Sequence, residues 1–589
     1  MSERAIDCFM DGLLCWPASE RTKHPFGTLR SGRRTSEPQA YELVGPSRVA
    51  RQPVRPLAST VPVSLDAVRV AGTAELFSMG DRRRSVRASA RSVRSGIVRA
   101  MSDARSQATL DEPDGGVGGS AARIGRFLGP VLALAALCLT HPQAMALGGL
   151  PADASWTLAV LALMATWWVT LAIDPAVTGL VPVIAFALLG IGSASQITSP
   201  YASDVIFLFG GGALLAYSLE RSGVSARFAA ALIRVAGSSP LRVLSAVMVA
   251  SALLSACVSN LATSATMLPL ALALGGGAVS RARDDAERAA ATRFLTSLLL
   301  GVAFGASIGG VLTIIGTPPN MIAVNWLRES GIETTFLGWM AFSVPATAVF
   351  LPLAVLLLGV VLFPARGLVI ERADEARGPL SRDEIVSLAV FAVAVLAWMT
   401  MPLYDRFVPG IREGTVGVIA ALSLFFLPSG ERRGERMLEP ADFARVPWRV
   451  LILFGGGLCL AATMERTGLS AKIGEVIAAT GALPSIAVLA VLVGTMIVAS
   501  EIASNTAISA MAVPVVGALA PGLGLPPEFL VIPAVFAASW SFAMPVGTPP
   551  NALVYASGHV RAQDMMRAGA LLDIVSFGVI VAMAWLLLG

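Results

Sequence analysis

Two polar phrases interrupt an otherwise oily chain: S-N-L-A-T-S-A-T-M-L-P at residues 259–269 and S-N-T-A-I-S-A-M-A-V-P at residues 504–514. Ser, Asn and Thr are poor acids and bases at neutral pH. Their chemistry is the hydrogen bond and the neutral oxygen offered to a hard cation. Unpaired polar groups in hydrocarbon are costly, so Ser259, Asn260, Thr263, Ser264, Ser504, Asn505 and Thr506 must face protein or a water-filled cavity. Interhelical hydrogen bonding alone is the plain alternative, because these residue types do that commonly in membranes. Each Asn stands nine residues before a Pro (Asn260 to Pro269, Asn505 to Pro514), and two copies at equivalent positions favour a paired site.

A second pair of motifs supplies backbone groups. I-G-T-P-P-N occupies 315–320 and V-G-T-P-P-N occupies 546–551. Two successive prolines remove two backbone donors, and proline disfavours helix in the residue before it, so Thr317 and Thr548 are expected at helix breaks. At membrane depth a break exposes carbonyls on one side and N–H groups on the other. The carbonyls suit Na⁺, and the N–H ends with their dipoles suit an anion. A simple proline kink accounts for the prolines but not for the Gly-Thr before them and the Asn after them in both copies.

No Lys or Arg stands around these motifs, and the nearest acidic residue in sequence is Glu501, where the first copy has Ala256. An anion would therefore be held by hydroxyls, amides and helix N-termini, with bound cations supplying the opposite charge. Coupling to Na⁺ is physically useful in such a site, since the cation lowers the cost of placing a dianion in a low-dielectric cavity. Glu501 reads equally as a cation-site or gating element and as a capped structural carboxylate.

The elements that position these residues are membrane helices. The chain has 589 residues, 55% apolar and only 14% charged, against about a quarter charged in soluble domains, and its mean hydropathy is +0.71. Apolar runs at 128–147, 158–173, 243–258, 342–363 and 571–588 approach or exceed the roughly 20 residues that cross a bilayer. They do not alternate as barrel strands would. Five Cys, none in a C-x-x-C pair or at metal-ligand spacing with the three His, argue against a disulfide framework or a zinc site. Residues 1–122 are rich in Arg, Ser and Pro, with eight Arg between Arg82 and Arg105, and read as a disordered basic tail. Such a tail meets anionic lipid or nucleic acid in some proteins. The reading adopted is a cytoplasmic N-terminus obeying the positive-inside rule, with the lipid bilayer as partner and no nucleic acid.

The motifs also reveal a duplication. L-F-G-G-G-A-L-L-A-Y-S-L-E-R-S-G from Leu208 matches L-F-G-G-G-L-C-L-A-A-T-M-E-R-T-G from Leu453, an offset of 245 that Asn260 and Asn505 share. The proline motifs are offset by 231, so the copies differ in length between the second and third motifs. That difference is assigned to a charged loop around 281–293, whose counterpart is the shorter 521–529. The Glu220-Arg221 and Glu465-Arg466 pairs read as helix ends, with Gly223 and Gly468 turning the chain. The Gly triplets read as sites of close helix packing, since no Gly-Lys-Ser/Thr follows them.

A duplicated membrane unit is the mark of a secondary transporter, whose related halves exchange inward and outward conformations around a site between them. The expected fold class is an all-α polytopic membrane protein with two inverted repeats and about 11 transmembrane segments. A leading helix and first repeat would occupy 123–370, and the second repeat 371–589. The absence of a nucleotide-binding loop disfavours a primary pump, and no nucleophile, base and oxyanion arrangement suggests an enzyme.

At these residues the sequence resembles the divalent anion/sodium symporters, the dicarboxylate, citrate and sulfate carriers of the solute carrier 13 type. The resemblance covers about residues 125–589 and rests on the paired Ser-Asn motifs, I-G-G-x-x-T-x-x-G-T-P-P-N at 308–320 and S-F-A-M-P-V-G-T-P-P-N at 541–551. It implies an elevator-type homodimer in the plasma (inner) membrane, with re-entrant hairpins carrying the motifs at their tips. By matching position, a first Na⁺ site would use Ser255, Ser259, Asn260 and the Gly316 carbonyl. A second would use the Ser500, Ala503 and Gly547 carbonyls and Asn505. Substrate carboxylates would meet Ser259, Asn260, Ser504, Asn505 and Thr506, with Thr317 and Thr548 close by. The sequence departs from the family pattern at Leu261, where Thr is usual. A lost hydroxyl there is worth about 0.5 to 1.5 kcal/mol and bears on substrate identity. The resemblance implies Na⁺-coupled transport of a small divalent anion, a C4 dicarboxylate such as succinate first. Sulfate or citrate carriage, Na⁺-independent exchange and an arsenite or Na⁺/H⁺ antiporter of similar architecture remain open. So does a membrane receptor or channel.

Overall fold

The computed structural model describes residues 118–141, 150–370, 378–404, 407–408, 410–432, 434–479 and 484–588. The basic tail up to residue 117 and the repeat junction at 371–377 lie outside them. Helix α1 (Gly118–Thr140) begins inside the last five residues of the expected tail. The regular elements among the described residues are helices, apart from one bridge between Pro428 and Arg436, and eleven of these helices are long and apolar enough to cross a membrane.

Helices of eight residues or more follow in this order. After α1 come α2 (Ala152–Thr170), α3 (Val181–Leu189), α4 (Asp204–Ser222), α5 (Val224–Val235), α6 (Pro240–Ser255), α7 (Asn260–Arg281), α8 (Asp285–Gly310), α9 (Pro318–Glu329) and α10 (Phe336–Leu356). Then come α11 (Arg382–Tyr404), α12 (Glu413–Phe426), α13 (Trp448–Arg466), α14 (Leu469–Ala479), α15 (Ser485–Ile502), α16 (Asn505–Gly522), α17 (Glu528–Ser539), α18 (Pro549–Ala556) and α19 (Ala562–Leu587). The run α4 to α10 recurs in order as α13 to α19, each motif at the same place in its run. As expected, α4 and α13 end at the Glu-Arg pairs, and Gly223 (φ +88°) and Gly468 (φ +74°) take the left-handed conformation that turns the chain.

The length difference between the copies is not a loop. Arg281 closes α7, and 285–293 are the first turns of α8, which has 26 residues against 12 in its counterpart α17. The reason is local. Asp284 caps the helix by accepting from the Glu287 N–H, Asp285 and Glu287 sit in its first turn, and A-E-R-A-A-A-T-R is strongly helix-forming.

Two features place the polar motifs. Helices α6 and α7 are joined only by 256–259, and α15 and α16 only by 503–504, so both Ser-Asn phrases lie at hairpin tips. At about 24 Å, α6 is too short to cross a 30 Å hydrocarbon layer. The chain also unwinds at 311–317 between α8 and α9, and at 540–548 between α17 and α18, where the Gly-Thr-Pro-Pro motifs predict it. Helices α8 and α17 are buried nearly all round, as core helices of a bundle are. Packing is tight enough that a Cβ on Gly309 would fall 2.1 Å from the Ala252 carbonyl oxygen, so α8 meets α6 backbone to backbone. Aromatic rings stitch the copies together, Phe304 to Phe542 at 5.3 Å and Phe350 to Trp540 at 4.5 Å between centroids. The Gly triplets serve packing as expected, Gly211 lying against the backbone of Gly417 in α12.

The far end of α9 is bolted down. Arg328, in its last turn, donates to Glu413 at 2.8 Å and stands 3.8 Å from Asp204, so α9 is tied to the starts of α12 and α4.

Candidate cation and anion site

The first tip closes on the first break. Ser259 caps α7, its hydroxyl accepting from the Ala262 N–H at 3.3 Å. Ser255, at the end of α6, donates its hydroxyl to Asn260 Oδ1 at 2.6 Å. The same Oδ1 lies 2.5 Å from where a Cβ on Gly310 would be. A Cβ on Gly316 would meet the Gly310 carbonyl oxygen at 2.4 Å and the Ser255 carbonyl oxygen at 2.9 Å. Thus oxygens of Ser255, Asn260 and Gly310 crowd around the backbone of Gly310 and Gly316. The unwound segment is held by Asn320, whose amide donates to the Gly310 and Thr313 carbonyls at 2.9 and 2.7 Å, and by Thr313, whose hydroxyl donates to the Ala256 carbonyl at 2.5 Å.

The second half repeats this plan with different fixings. Ser500 Oγ lies 2.6 Å from Asn505 Oδ1 and 2.5 Å from the Ala538 carbonyl oxygen, and Ser541 donates to it at 3.3 Å. The Asn551 amide donates to the Phe542 and Met544 carbonyls at 3.2 and 3.1 Å, as Asn320 does in the first break. Thr548 caps α18 by accepting from the Asn551 N–H, while Thr317 caps α9 without a side-chain bond. Glu501 accepts from the Ala543 and Met544 N–H groups at 2.8 and 2.6 Å, which makes it a capped carboxylate beside Gly547.

The two halves interlock. Helix α9 packs on α16, with Trp326 against Gly517, and α18 packs on α7 and α8. The breaks adjoin where Trp540 Nε1 donates to the Ile308 carbonyl at 3.4 Å, and each break is bonded to its own tip segment, so four helix N-termini that favour negative charge lie in this region. The oxygen-only donors at each tip suit a hard cation such as Na⁺. Among the described residues, the polar contacts of both tips and both breaks involve no Lys or Arg.

The halves are unequal in cover. Ile315 in the first break is only 8% exposed and packs on Gly212 of α4 at 3.4 Å from its Cβ position, whereas its counterpart Val546 is 68% exposed. Leu261 is 44% exposed at the first tip, beside exposed Ser259, and Thr506 follows exposed Ser504 at the second. Thr263 and Ser264 are buried, and among the described residues their hydroxyls find no partner.

Sequence reasoning did not single out Thr313, Ser541 or Asp573. Asp573 accepts from the Phe542 N–H at 2.9 Å, and its only signal was a lone acid in the apolar run 571–588. Asn320 and Asn551 were legible as the last residue of the repeated motif, though not as clamps.

Comparison with known proteins agrees with this architecture. Residues 126–589 match the model of the sodium:sulfate symporter transmembrane region. The sodium-dependent dicarboxylate transporter SdcS of Staphylococcus aureus (strain USA300) is 32% identical over 474 residues, 78% of this chain and 90% of that one, and the protein of strain bovine RF122 matches equally. These relatives are transporters, not enzymes. In fold the chain is similar to the Alcanivorax borkumensis YdaH transporter, with a TM-score of 0.51 at 15% identity over 74% of this chain and 98% of that one. The protein is a multi-pass integral membrane protein, and it belongs to the sodium:sulfate symporter group of the divalent anion/sodium symporter family.

Proposed function

We propose that this protein is a Na⁺-coupled secondary transporter of a small divalent anion, with a C4 dicarboxylate such as succinate as its first substrate. The observation that carries the reading is the doubled constellation of tip and break, oxygen-lined and free of basic side chains. Na⁺ is a co-substrate here. One ion is held by Ser255, Ser259, Asn260 and the Gly316 carbonyl, and the other by the Ser500, Ala503 and Gly547 carbonyls and Asn505. Bound Na⁺ supplies the positive charge that the anion site lacks. The substrate carboxylates then meet Ser259, Asn260, Ser504, Asn505 and Thr506, with Thr317 and Thr548 at the adjoining helix starts. The sodium dependence and dicarboxylate substrate of the Staphylococcus aureus relative support this reading.

The unequal cover of the breaks, one packed beneath α4 and the other open, supports alternating access. In the proposed cycle the repeats are inverted, and the unit carrying tips and breaks moves as an elevator within a homodimer. The carrier sits in the plasma (inner) membrane with its N-terminus in the cytoplasm.

The deciding experiment is uptake of labelled succinate, sulfate and citrate into proteoliposomes with and without a Na⁺ gradient. Succinate uptake driven by Na⁺ is expected. Transport of none of the three, or succinate uptake indifferent to Na⁺ and dependent on internal dicarboxylate, would overturn the reading. Leu261→Thr is expected to lower the succinate KM severalfold, in line with about 0.5 to 1.5 kcal/mol for a restored hydrogen bond. An unchanged KM would show that residue 261 does not reach substrate.

A further inference from the structure

The two helix breaks are held by chemically different groups. In the first, every fixing is neutral: the Thr313 hydroxyl on the Ala256 carbonyl, the Asn320 amide on two carbonyls, and, from α10, Trp339 and Ser343 on the Val311 and Leu312 carbonyls. In the second, Glu501 stands where the first has Ala256 and binds the Ala543 and Met544 N–H groups, while Asp573 from α19 binds the Phe542 N–H. Three consecutive peptide N–H groups therefore point at two carboxyls, which meet each other side chain to side chain. The Asn551 amide holds the Phe542 and Met544 carbonyls, so the segment is gripped through both its donors and its acceptors.

This grip lies against the second set of cation oxygens. Glu501 follows Ser500 directly and precedes Ala503 by two residues, and its Oε2 lies 3.3 Å from the Cβ position of Gly547. No Lys or Arg is among the polar contacts of either carboxyl in the described residues. A carboxyl that grips the break this close to the oxygen cage holds the cage's backbone in place. The first cage has no such neighbour.

We propose that Glu501 and Asp573 are positioning residues for the second cation site. By fixing 542–544 they set the direction of the Gly547 carbonyl, and in this way make the site the tighter of the two for Na⁺. The inference rests on the Na⁺-coupled reading above.

The test uses purified full-length protein in detergent. Its thermal unfolding midpoint is followed as NaCl replaces choline chloride at constant ionic strength. Wild type is expected to be stabilised by Na⁺. Glu501→Gln is expected to raise the Na⁺ concentration for half-maximal stabilisation about tenfold, the scale of a lost charged contact, and Asp573→Asn about threefold. A merely structural role would lower the midpoint equally in choline and in Na⁺ while leaving the half-maximal concentration unchanged, and that result would overturn the inference. Should Glu501→Gln not fold, Asp573→Asn alone decides by the same criterion. A wild type indifferent to Na⁺ would remove the sodium reading and this inference with it, whereas a responsive wild type whose variants keep its half-maximal Na⁺ concentration would remove the inference alone.

Discussion

Asn505→Ala is expected to bring Na⁺-driven uptake down to the level of empty proteoliposomes. Asn505 opens α16 at the second tip, with its Oδ1 2.6 Å from Ser500 Oγ, and the proposed cycle asks it to meet both a cation and a substrate carboxylate. Two charge-assisted contacts at about 1.5 kcal/mol each amount to roughly a hundredfold or more in affinity. Asn505→Asp, which keeps the shape and the oxygen but loses the amide donor, should retain Na⁺-dependent thermal stabilisation better than it retains uptake. Wild-type uptake rates in Asn505→Ala, measured at equal amounts of reconstituted protein, would remove this residue from the site.

Arg328→Met is expected to cost the fold about 3 kcal/mol or more, because it leaves the Glu413 carboxylate buried without its counter-charge. Glu413 is 4% exposed, and its carboxylate is the shorter of the two contacts that tie α9 to the helices around it. Asp204 has a second anchorage, accepting the Gly414 N–H at 3.1 Å, so it loses less. The double variant Arg328→Met with Glu413→Gln should recover part of the loss, since the stranded charge is then gone. Thermal unfolding of the purified variants checks the order: the single change should be the less stable. Equal stability in both would mean that stranding the Glu413 charge costs the fold nothing. Because α9 begins at the first break and Arg328 lies about 16 Å along it, loss of the anchor should also reach uptake through the position of Thr317.

Much of the site was legible because its signals act over a few residues. Two successive prolines disrupt a helix, and polar side chains in hydrocarbon must find company, so the breaks at Thr317 and Thr548 and a paired polar site at Asn260 and Asn505 follow from the residues, while the place of that site at hairpin tips came from the family resemblance. Duplication then paired tip with tip at an offset of 245 and break with break at 231. The stretch 281–293 was misread as a loop for the opposite reason. Its charges suggested solvent, but Asp284 and the alanines make the same residues a capped helix start, and being outside hydrocarbon does not oblige a segment to be irregular.

By itself, then, the sequence determined that the chain crosses the membrane many times as helices, that it is built from two related halves, and which backbone points unwind. Hydrocarbon solvent and proline geometry leave little choice in these matters. Only the tertiary structure decided how each break is held. Asp573 lies 31 residues from Phe542 and Arg328 lies 85 from Glu413, and such partners meet because helices pack, which no local pattern records. It also decided that the two halves are unequal. Their motifs differ by a few residues, but Glu501 becomes a clamp only when 543–544 fold back onto it, and Val546 is open only because nothing like Gly212 covers it.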